Sequence, residues 1–253
     1  MNKTDLILNT IIFKNQLDQG VQQEELIDLV SSLGIKKVEI RREFIGNIAS
    51  QLPKIRKKAD DYQISLFYSI NEDFVLGNSL NPKLEDFCQE AQILGAPFIK
   101  LNTGNAREIT KETLQNVNKL DLKDRAIKLE NNQSKENGIL DNCYLMMKKM
   151  QEAQLDISFA FDTANWIWVS DSVEDAVKKM NHLTTYLHLK NYDVTNDGLK
   201  TTGLFSGELD MIKLLKEFHY IEQIAFEYPC SSIHSLKSDI EQFIQSYNDL
   251  QEE

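Results

Sequence analysis

The sequence ISFAFDTANW at residues 157–166 carries the pattern on which the fold prediction depends. It is typical of a short buried strand that ends abruptly at a carboxylate, Asp162. Because side chains alternate across a strand, Ile157, Phe159 and Phe161 share one face, and the small residues between them share the other face with Asp162. Either Asp162 caps the following turn, or a parallel strand delivers a functional group at its carboxyl end, where α/β folds keep their sites. The rest of the chain repeats the pattern and so decides between the two.

Length, composition and charge limit the possible classes of protein. The chain has 253 residues, 42% of them hydrophobic, and only 10 glycines. An α/β barrel needs about this length, and the composition is that of an ordinary folded core. The formal net charge of −11 disfavours nonspecific binding to nucleic acid or to an anionic membrane surface. A small-molecule ligand remains compatible with this charge.

The cysteines and the first residues bear on the cellular compartment. The three cysteines, Cys88, Cys143 and Cys230, are odd in number and lack a CxxC spacing, so the sequence indicates neither a disulfide framework nor a thiolate zinc site. The apolar run at residues 6–13 is too short and too polar for a signal peptide, and no later run could span a bilayer. We therefore expect reduced thiols and a cytoplasmic protein. The sequence leaves the oligomeric state open, a homo-oligomer included.

Apolar runs alternate with amphipathic helical patterns along the chain. Predicted strands cover residues 6–13, 37–44, 64–70, 97–102, 126–131, 157–162, 184–191 and 224–228. Predicted helices cover residues 22–33, 48–62, 81–95, 109–120, 139–154, 172–181, 209–218 and 233–250. Eight such units predict a parallel sheet closed into a single (β/α)8 TIM barrel, with residues 1–253 as one domain. A doubly wound open sheet is the alternative, but no GxGxxG or GxxxxGK[ST] motif follows a strand to support its nucleotide-binding versions.

The polar residues of several predicted strands share one face. These groups are Glu39 with Arg41, Lys100 with Asn102, Lys128 with Glu130 and Asn132, Tyr186 with His188 and Lys190, and Ala225 with Glu227. In a barrel the apolar face of each strand packs on the outer helices, so we expect the polar face to point into the lumen. Charged groups in the lumen are costly unless they are paired, ligated or hydrogen-bonded.

Four strand-end residues, three from these groups and Asp162 from the strand at residues 157–162, could share one cation. Glu130, Asp162, His188 and Glu227 come from four successive strands and would converge at the carboxyl mouth of the barrel. Taken singly, each has a simpler interpretation, a salt bridge for a glutamate or a hydrogen-bonded core histidine for His188. Their coincidence on four neighbouring strands favours a metal site. Three carboxylates and one imidazole suit Mn²⁺ or Mg²⁺ best, with Co²⁺ or Zn²⁺ possible, and the set is not that of a structural zinc site.

The same strand ends resemble a known superfamily. Five motifs are similar to the strand-end motifs of the xylose isomerase-like TIM barrels: VEIRREF (38–44), KLENNQ (128–133), FDTANW (161–166), HLKNYD (188–193) and FEYP (226–229). This superfamily includes sugar isomerases, ketose 3-epimerases, inosose dehydratases and the endonuclease IV type of DNA-repair enzyme. The resemblance implies a barrel fold and a small-molecule sugar or sugar phosphate as substrate. It leaves the reaction open, because the scaffold hosts many chemistries.

The resemblance also implies roles for individual residues. In epimerase-like members a Glu, an Asp, a His and a second Glu bind one divalent metal ion, and these fall on Glu130, Asp162, His188 and Glu227. The two glutamates of such enzymes exchange protons with the sugar carbon, which implies catalytic roles for Glu130 and Glu227 in an isomerase or epimerase. An inosose-type dehydratase and a non-catalytic sugar-binding barrel are the alternatives. A phosphodiesterase of the endonuclease IV type would need more histidines and a basic surface, and neither nucleic acid nor membrane is an expected partner.

Substrate recognition is where this sequence departs from the epimerase pattern. Asn165 stands where epimerases commonly have a histidine, and Val194 stands where an arginine is often found. Lys190 could supply the positive charge instead, as a donor to a developing oxyanion, or it could simply form a salt bridge to Glu130 or Glu227. Trp166 could form an apolar wall of the site or pack in the core. The predicted substrate-binding residues are Lys190, Asn165, Glu39, Asn102, Asn132 and Trp166.

Overall fold

Eight parallel strands form a closed barrel in the computed structural model, which describes residues 1–252, with side chains to residue 250. The barrel strands are β1 (Ile7–Asn9), β2 (Lys37–Arg41), β3 (Ser65–Leu76), β4 (Phe98–Gly104), β5 (Ala126–Glu130), β6 (Ile157–Asp162), β7 (Thr184–Leu189) and β8 (Gln223–Phe226). Each strand pairs in parallel with the next, and β8 pairs with β1 through the register Ile7↔Ala225, which closes the barrel. The predicted (β/α)8 fold class is confirmed.

One principal helix follows each strand. These helices are α1 (Gln23–Ser32), α2 (Ile48–Tyr62), α3 (Leu84–Leu94), α4 (Lys111–Leu114), α5 (Leu140–Glu152), α6 (Val173–Met180), α7 (Met211–Leu215) and α8 (Ile233–Glu252). Their amphipathic faces cover the barrel, as expected for parallel strands buried on both sides. In the described part of the chain, no helix combines the length and the hydrophobicity that crossing a membrane requires.

The main differences from the predicted elements lie where strands and helices end. β1 is shorter than predicted because the side chain of Asn9 accepts the backbone N–H of Ile11 and starts a 3-10 turn at Thr10–Phe13. β3 is longer, because an irregular register after Ile70 lets the strand continue past its polar residues. Predicted helix 109–120 is only α4 followed by a 3-10 turn, and 209–218 shortens to α7.

A β-hairpin follows β7 that the sequence interpretation missed. Its strands, Asn191–Thr195 and Gly198–Thr202, pair antiparallel across a two-residue loop. The turn sequence Asn196-Asp197-Gly198 is the local signal for it, since Asn, Asp and Gly favour tight hairpin turns. The hairpin matters for function because Thr201 lies on the wall of the cavity at the barrel mouth.

Within the lumen of the barrel, an apolar layer lies below a polar one. A small apolar cluster forms the floor and consists of Ile7, Phe67, Phe98, Ala160, Tyr186 and Ala225. Two residues further along their strands, and therefore on the same face, come Asp162 after Ala160, His188 after Tyr186 and Glu227 after Ala225. The apolar floor thus carries a polar layer at the carboxyl ends of the strands.

The end of β4 is so closely packed that it admits only glycine. Gly104 has φ +75°, and a Cβ atom there would lie 2.3 Å from the carbonyl oxygen of Val75. We expect Gly104→Ala to destabilise the protein by at least about 2 kcal/mol more than Gly77→Ala, because overpacking against backbone adds to left-handed strain. Gly77 is the matched control, with φ +59° and no atom within 4 Å of the place that a Cβ atom would take. Urea unfolding followed by circular dichroism measures both, and equal losses would contradict the packing argument.

Candidate metal centre

Four buried side chains meet at the carboxyl mouth of the barrel. Glu130 and Asp162 end β5 and β6, His188 lies near the end of β7, and Glu227 directly follows β8. One potential ligand atom from each residue lies within 4.8 Å of the others, and all four residues are buried. Among the described residues, this is the group of three or more His, Cys, Asp or Glu side chains close enough to hold a metal ion.

The two glutamates are each fixed through one oxygen. Glu130 accepts a hydrogen bond from the Lys100 ammonium through Oε2, and Lys100 is itself buried. Glu227 accepts from the Arg41 guanidinium through Oε1, which also lies 3.3 Å from Nδ2 of Asn9. These contacts orient both carboxylates and leave Glu130 Oε1 and Glu227 Oε2 directed at the cluster.

The carboxylate of Asp162 is likewise fixed by hydrogen bonds to one of its two oxygens. Its Oδ1 accepts the backbone N–H groups of Ala164 and Asn165, at 3.0 and 2.9 Å. Its Oδ2 lies 2.7 Å from Nζ of Lys190 but makes no well-oriented hydrogen bond. The sequence alternative of a salt bridge from Lys190 to Glu130 or Glu227 is therefore replaced by an ion pair with Asp162.

The imidazole of His188 lies between carboxylates. Its Nε2 is 2.9 Å from Oε2 of Glu39, while its Nδ1 is 2.5 Å from Glu130 Oε1 and 2.8 Å from Glu227 Oε2. Neither Nδ1 nor Glu130 Oε1 has a hydrogen bond of acceptable geometry. Acceptor atoms crowded in this way need a proton or a cation between them.

The side-chain set fits a divalent cation. Each carboxylate has one oxygen held by a protein donor and one oxygen directed at the cluster, and His188 directs Nδ1 to the same place. Three carboxylate oxygens and one imidazole nitrogen are ligands that Mn²⁺, Mg²⁺, Co²⁺ and Zn²⁺ accept. Glu130, Asp162, His188 and Glu227 could therefore hold such an ion.

Burial and neighbouring cations shift the pKa values of two of the carboxyl groups in opposite directions. Burial raises the pKa of Asp162 to about 7, more than the nearby Lys190 ammonium lowers it. Burial also acts to raise the pKa of Glu130, but the attraction of the Lys100 ammonium outweighs burial and the pKa falls below its usual value. Asp162 is thus the carboxyl group that is partly protonated near neutral pH in the metal-free protein.

His188 and Glu227 stabilise each other's charged forms. Burial acts to lower the pKa of His188, but the charges of Glu227, Glu39 and Glu130 outweigh it and hold that pKa well above its ordinary value. Burial acts to raise the pKa of Glu227, yet His188 and Arg41 hold it well below its ordinary value. Without a metal ion, a proton on the imidazole supplies the positive charge that the carboxylates require.

A cavity of about 420 Å³ opens above the cluster. It is lined by Ile11, Arg41, Asn71, Asn102, Glu130, Asn132, Gln133, Ser134, Asn165, Lys190, Thr201, Glu227 and Pro229. Four of the predicted substrate-binding residues are in this lining: Asn102, Asn132, Asn165 and Lys190. Val194 lies on the hairpin, is 65% exposed and does not line the cavity.

Glu39 and Trp166 do not line the cavity, which corrects their predicted substrate contacts. Both are fully buried. Glu39 does face the lumen, but its carboxylate is enclosed by His188 and Tyr186. Trp166 lies in the short helix Asn165–Trp168, and its ring packs 5.3 Å from that of Phe161, so the packing alternative applies.

Several residues of the site were not singled out from the sequence. Among them, Arg41 and Lys100 supply the counter-charges of two glutamates, and Asn71 accepts a hydrogen bond from Asn102 at 3.1 Å inside the cavity. The strand alternation did put Arg41 and Lys100 on lumen faces. What it lacked was the identity of each partner, which depends on how the barrel closes.

Loss of His188 should remove metal binding. We expect the protein to bind one equivalent of Mn²⁺ and His188→Ala to bind it at least about tenfold more weakly, because Nδ1 is the one nitrogen ligand of the set. Isothermal titration of metal-free protein measures this. His182→Ala, at an exposed histidine, is the control and should match the parent. Equal Mn²⁺ affinity in the parent and in His188→Ala would contradict the assignment of this metal site.

Metal affinity should fall as the pH falls. Protons on His188 and on Asp162, whose pKa is about 7, must leave before their ligand atoms can bind a cation. We expect the apparent Mn²⁺ affinity to decrease between pH 8 and pH 6 by roughly tenfold per pH unit for each displaced proton. Titrations at several pH values with constant ionic strength measure the slope. An affinity that does not change over this interval would contradict proton competition.

Comparison with known proteins finds likeness in solved structures. No protein-family model and no curated protein sequence matches the chain. It is similar to the probable 3-DHS dehydratase AsbF from Bacillus anthracis (13% identity, TM-score 0.67, covering 95% of this chain and 98% of that one). It is also similar to the IOLI protein with a bound zinc atom (14% identity, TM-score 0.66, covering 97% of this chain and 97% of that one). A third similar structure is a D-psicose 3-epimerase (16% identity, TM-score 0.63, covering 94% of this chain and 89% of that one). The chain therefore has the fold of the xylose isomerase-like TIM barrels.

Proposed function

We propose that this protein is a divalent-metal-dependent isomerase or epimerase that moves a proton next to the carbonyl of a ketose, a sugar phosphate or a related polyol. The observation that carries the proposal is the placement of Glu130 and Glu227. Each has one oxygen fixed by a cationic side chain, Lys100 or Arg41, and one oxygen directed at the same buried cluster at the base of a polar cavity.

The metal ion would be held by Glu130, Asp162, His188 and Glu227. When bound, such an ion polarises a carbonyl group and acidifies the neighbouring C–H bond. Mn²⁺ or Mg²⁺ suits the oxygen-rich ligand set best, with Co²⁺ or Zn²⁺ as alternatives. The zinc atom in the similarly folded IOLI protein is compatible with this assignment.

Glu130 and Glu227 are the groups assigned to proton transfer. Their low pKa values keep both ionised at neutral pH, so that either can accept a proton from the substrate carbon. In epimerisation one glutamate takes the proton from carbon, and the other, after taking up a proton from solvent, gives that proton to the opposite face of the same carbon. Return to the adjacent carbon gives isomerisation. Lys100 and Arg41 hold the two carboxylates in place during this exchange.

The lining of the cavity supports a polyhydroxylated substrate. Its carboxamide side chains are Asn71, Asn102, Asn132, Gln133 and Asn165, and its apolar residues are Ile11 and Pro229. A carboxamide both donates and accepts hydrogen bonds, so it can bind hydroxyl groups in either sense. Most small-molecule pockets are mainly apolar, and this contrast favours a sugar or polyol over a hydrophobic ligand.

Lys190 supports a second candidate, a dehydratase. Its ammonium lines the cavity beside Asp162, where it can donate a hydrogen bond to a substrate oxygen on which negative charge develops. The same ammonium could protonate a leaving hydroxyl group. A glutamate would then take the proton from carbon, the C–O bond would break, a C=C bond would form and water would leave. The probable dehydratase AsbF shares this fold.

Solvent-deuterium exchange separates the reaction types. Protein loaded with Mn²⁺ would be incubated in D₂O with a panel of ketoses, keto-inositols and their phosphates, and products analysed by NMR and mass spectrometry. Deuterium on the carbon next to the carbonyl, with a new stereoisomer or a shifted carbonyl, identifies an epimerase or isomerase. Loss of one water identifies a dehydratase. Ligand binding without exchange for every compound would instead indicate a sugar-binding barrel.

Replacing Glu227 should stop proton transfer without stopping ligand binding. We expect Glu227→Gln, at saturating Mn²⁺, to slow deuterium exchange by at least about 100-fold, because an amide cannot accept the proton. Glu222→Gln is the control, since Glu222 contacts Lys128 at the opposite end of the barrel. Exchange rates and ligand affinities are measured for both. Exchange at the parent rate in Glu227→Gln would refute its catalytic role.

A further inference from the structure

A wholly buried group of polar side chains adjoins the four candidate metal ligands and shares His188 with them. Its members, Asn9, Glu39, Tyr186 and His188, come from β1, β2 and β7 and expose no surface. Buried polar groups are stable only when they are hydrogen-bonded. The hydrogen bonds within this group therefore constrain how each member can be protonated and oriented.

The contact with Glu39 selects the tautomer of His188. Neutral imidazole carries one N–H donor and one acceptor nitrogen. When a cation rather than a proton lies beside Nδ1, the single hydrogen of the neutral ring is on Nε2, which can donate it to Oε2 of Glu39, 2.9 Å away. Nδ1 then keeps its lone pair and faces Glu130 and Glu227. This is the arrangement in which a histidine can bind a metal ion through Nδ1.

The other neighbours of Glu39 are donors as well. Tyr186 donates its hydroxyl to Oε2, and Nδ2 of Asn9 lies 3.3 Å from Oε1. The amide of Asn9 cannot turn round, because its Oδ1 accepts the backbone N–H of Ile11 at 2.9 Å. The site behind His188 therefore requires a group that only accepts, which is a carboxylate. A glutamine there would direct its NH₂ group at one of these donors.

Asn9 connects this group to a second member of the cluster. Its Nδ2 lies 3.3 Å from Oε1 of Glu39 and 3.3 Å from Oε1 of Glu227. The same amide thus holds the carboxylate behind His188 and the carboxylate of Glu227. One buried hydrogen-bond network thus positions two of the four candidate ligands, His188 through Glu39 and Glu227 through Asn9.

We propose that Glu39 is a positioning residue that fixes the tautomer and the ring orientation of His188 for metal binding. This inference rests on the metal site of the proposed function. Carboxylates behind ligating histidines typically contribute 10–100-fold to metal affinity. Because Glu39 does not line the cavity, its replacement should weaken metal binding directly and should affect substrate binding only through the loss of the metal ion.

The test compares the same substitution at two buried glutamates. Glu90 is the matched control, because it is also buried and accepts hydrogen bonds from a tyrosine, Tyr68, and from Arg42. Zn²⁺ affinity is measured by competition with a chelating dye for the parent, Glu39→Gln and Glu90→Gln. We expect Glu39→Gln to bind Zn²⁺ about 10–100-fold more weakly and Glu90→Gln to bind it like the parent, even if its melting temperature is lower.

A spectroscopic readout distinguishes positioning from a general loss of stability. In the Zn²⁺-loaded parent, ¹⁵N-edited NMR should show His188 with its proton on Nε2, and this resonance should shift or exchange faster in Glu39→Gln. Tyr186→Phe removes one donor to Glu39 and should weaken Zn²⁺ binding less, which keeps the test decisive if Glu39→Gln does not fold. Unchanged affinity and an unchanged Nε2–H signal in the variants would overturn the role of Glu39 alone. A parent that does not bind Zn²⁺ or Mn²⁺ would overturn the metal site and this inference together.

Discussion

The burial of four carboxylates at one end of the barrel is the constraint on which the rest of the site depends. Glu39, Glu130, Asp162 and Glu227 are all removed from solvent, and an ionised carboxylate in such a place is very costly unless it is paired and hydrogen-bonded. The compensation is specific. Arg41, Lys100 and Lys190 each approach a different one of the three carboxylates around His188, and Glu39 receives hydrogen bonds from tyrosine, histidine and asparagine.

This compensation leaves the cluster one positive charge short. With all four carboxylates ionised and His188 neutral, the three cationic side chains leave the site with a single excess negative charge. In the metal-free protein a proton on His188, whose pKa is raised, and partial protonation of Asp162, whose pKa is about 7, remove this excess. A divalent cation would displace these protons and leave the site positive by one. A positively charged site is the electrostatic condition under which negative charge on substrate oxygens is stabilised.

The sequence predicts the barrel and the convergence of four side chains because both follow from alternation along strands. A one-residue slip in any strand would turn its polar face outward, so the pattern is strongly constrained. The depth of Glu39 was not predictable in this way, since alternation gives a face but not the height within the lumen. Trp166 was misassigned because the short turn after β6 directs its ring into the outer core. The pairing of Lys190 with Asp162 follows from neighbouring strands and could not be read from spacing.

The candidate metal ligands and the residues proposed to bind a substrate lie on different parts of the barrel. The candidate ligands lie at the carboxyl ends of β5 to β8 above the apolar layer, so the fold itself positions them. The proposed recognition residues lie at the rim, where this chain departs from the epimerase pattern. Asn165 donates from Nδ2 to the carbonyl of Asn131 at 2.8 Å, and its Oδ1 is buried and has no hydrogen-bond partner. An uncharged acceptor in place of a histidine, and an exposed Val194 in place of an arginine, leave Lys190 and Arg41 as the cations of the cavity wall. Under the proposed function, the substrate should accordingly differ from that of an epimerase with the histidine and the arginine, even where the proposed proton-transfer residues are the same.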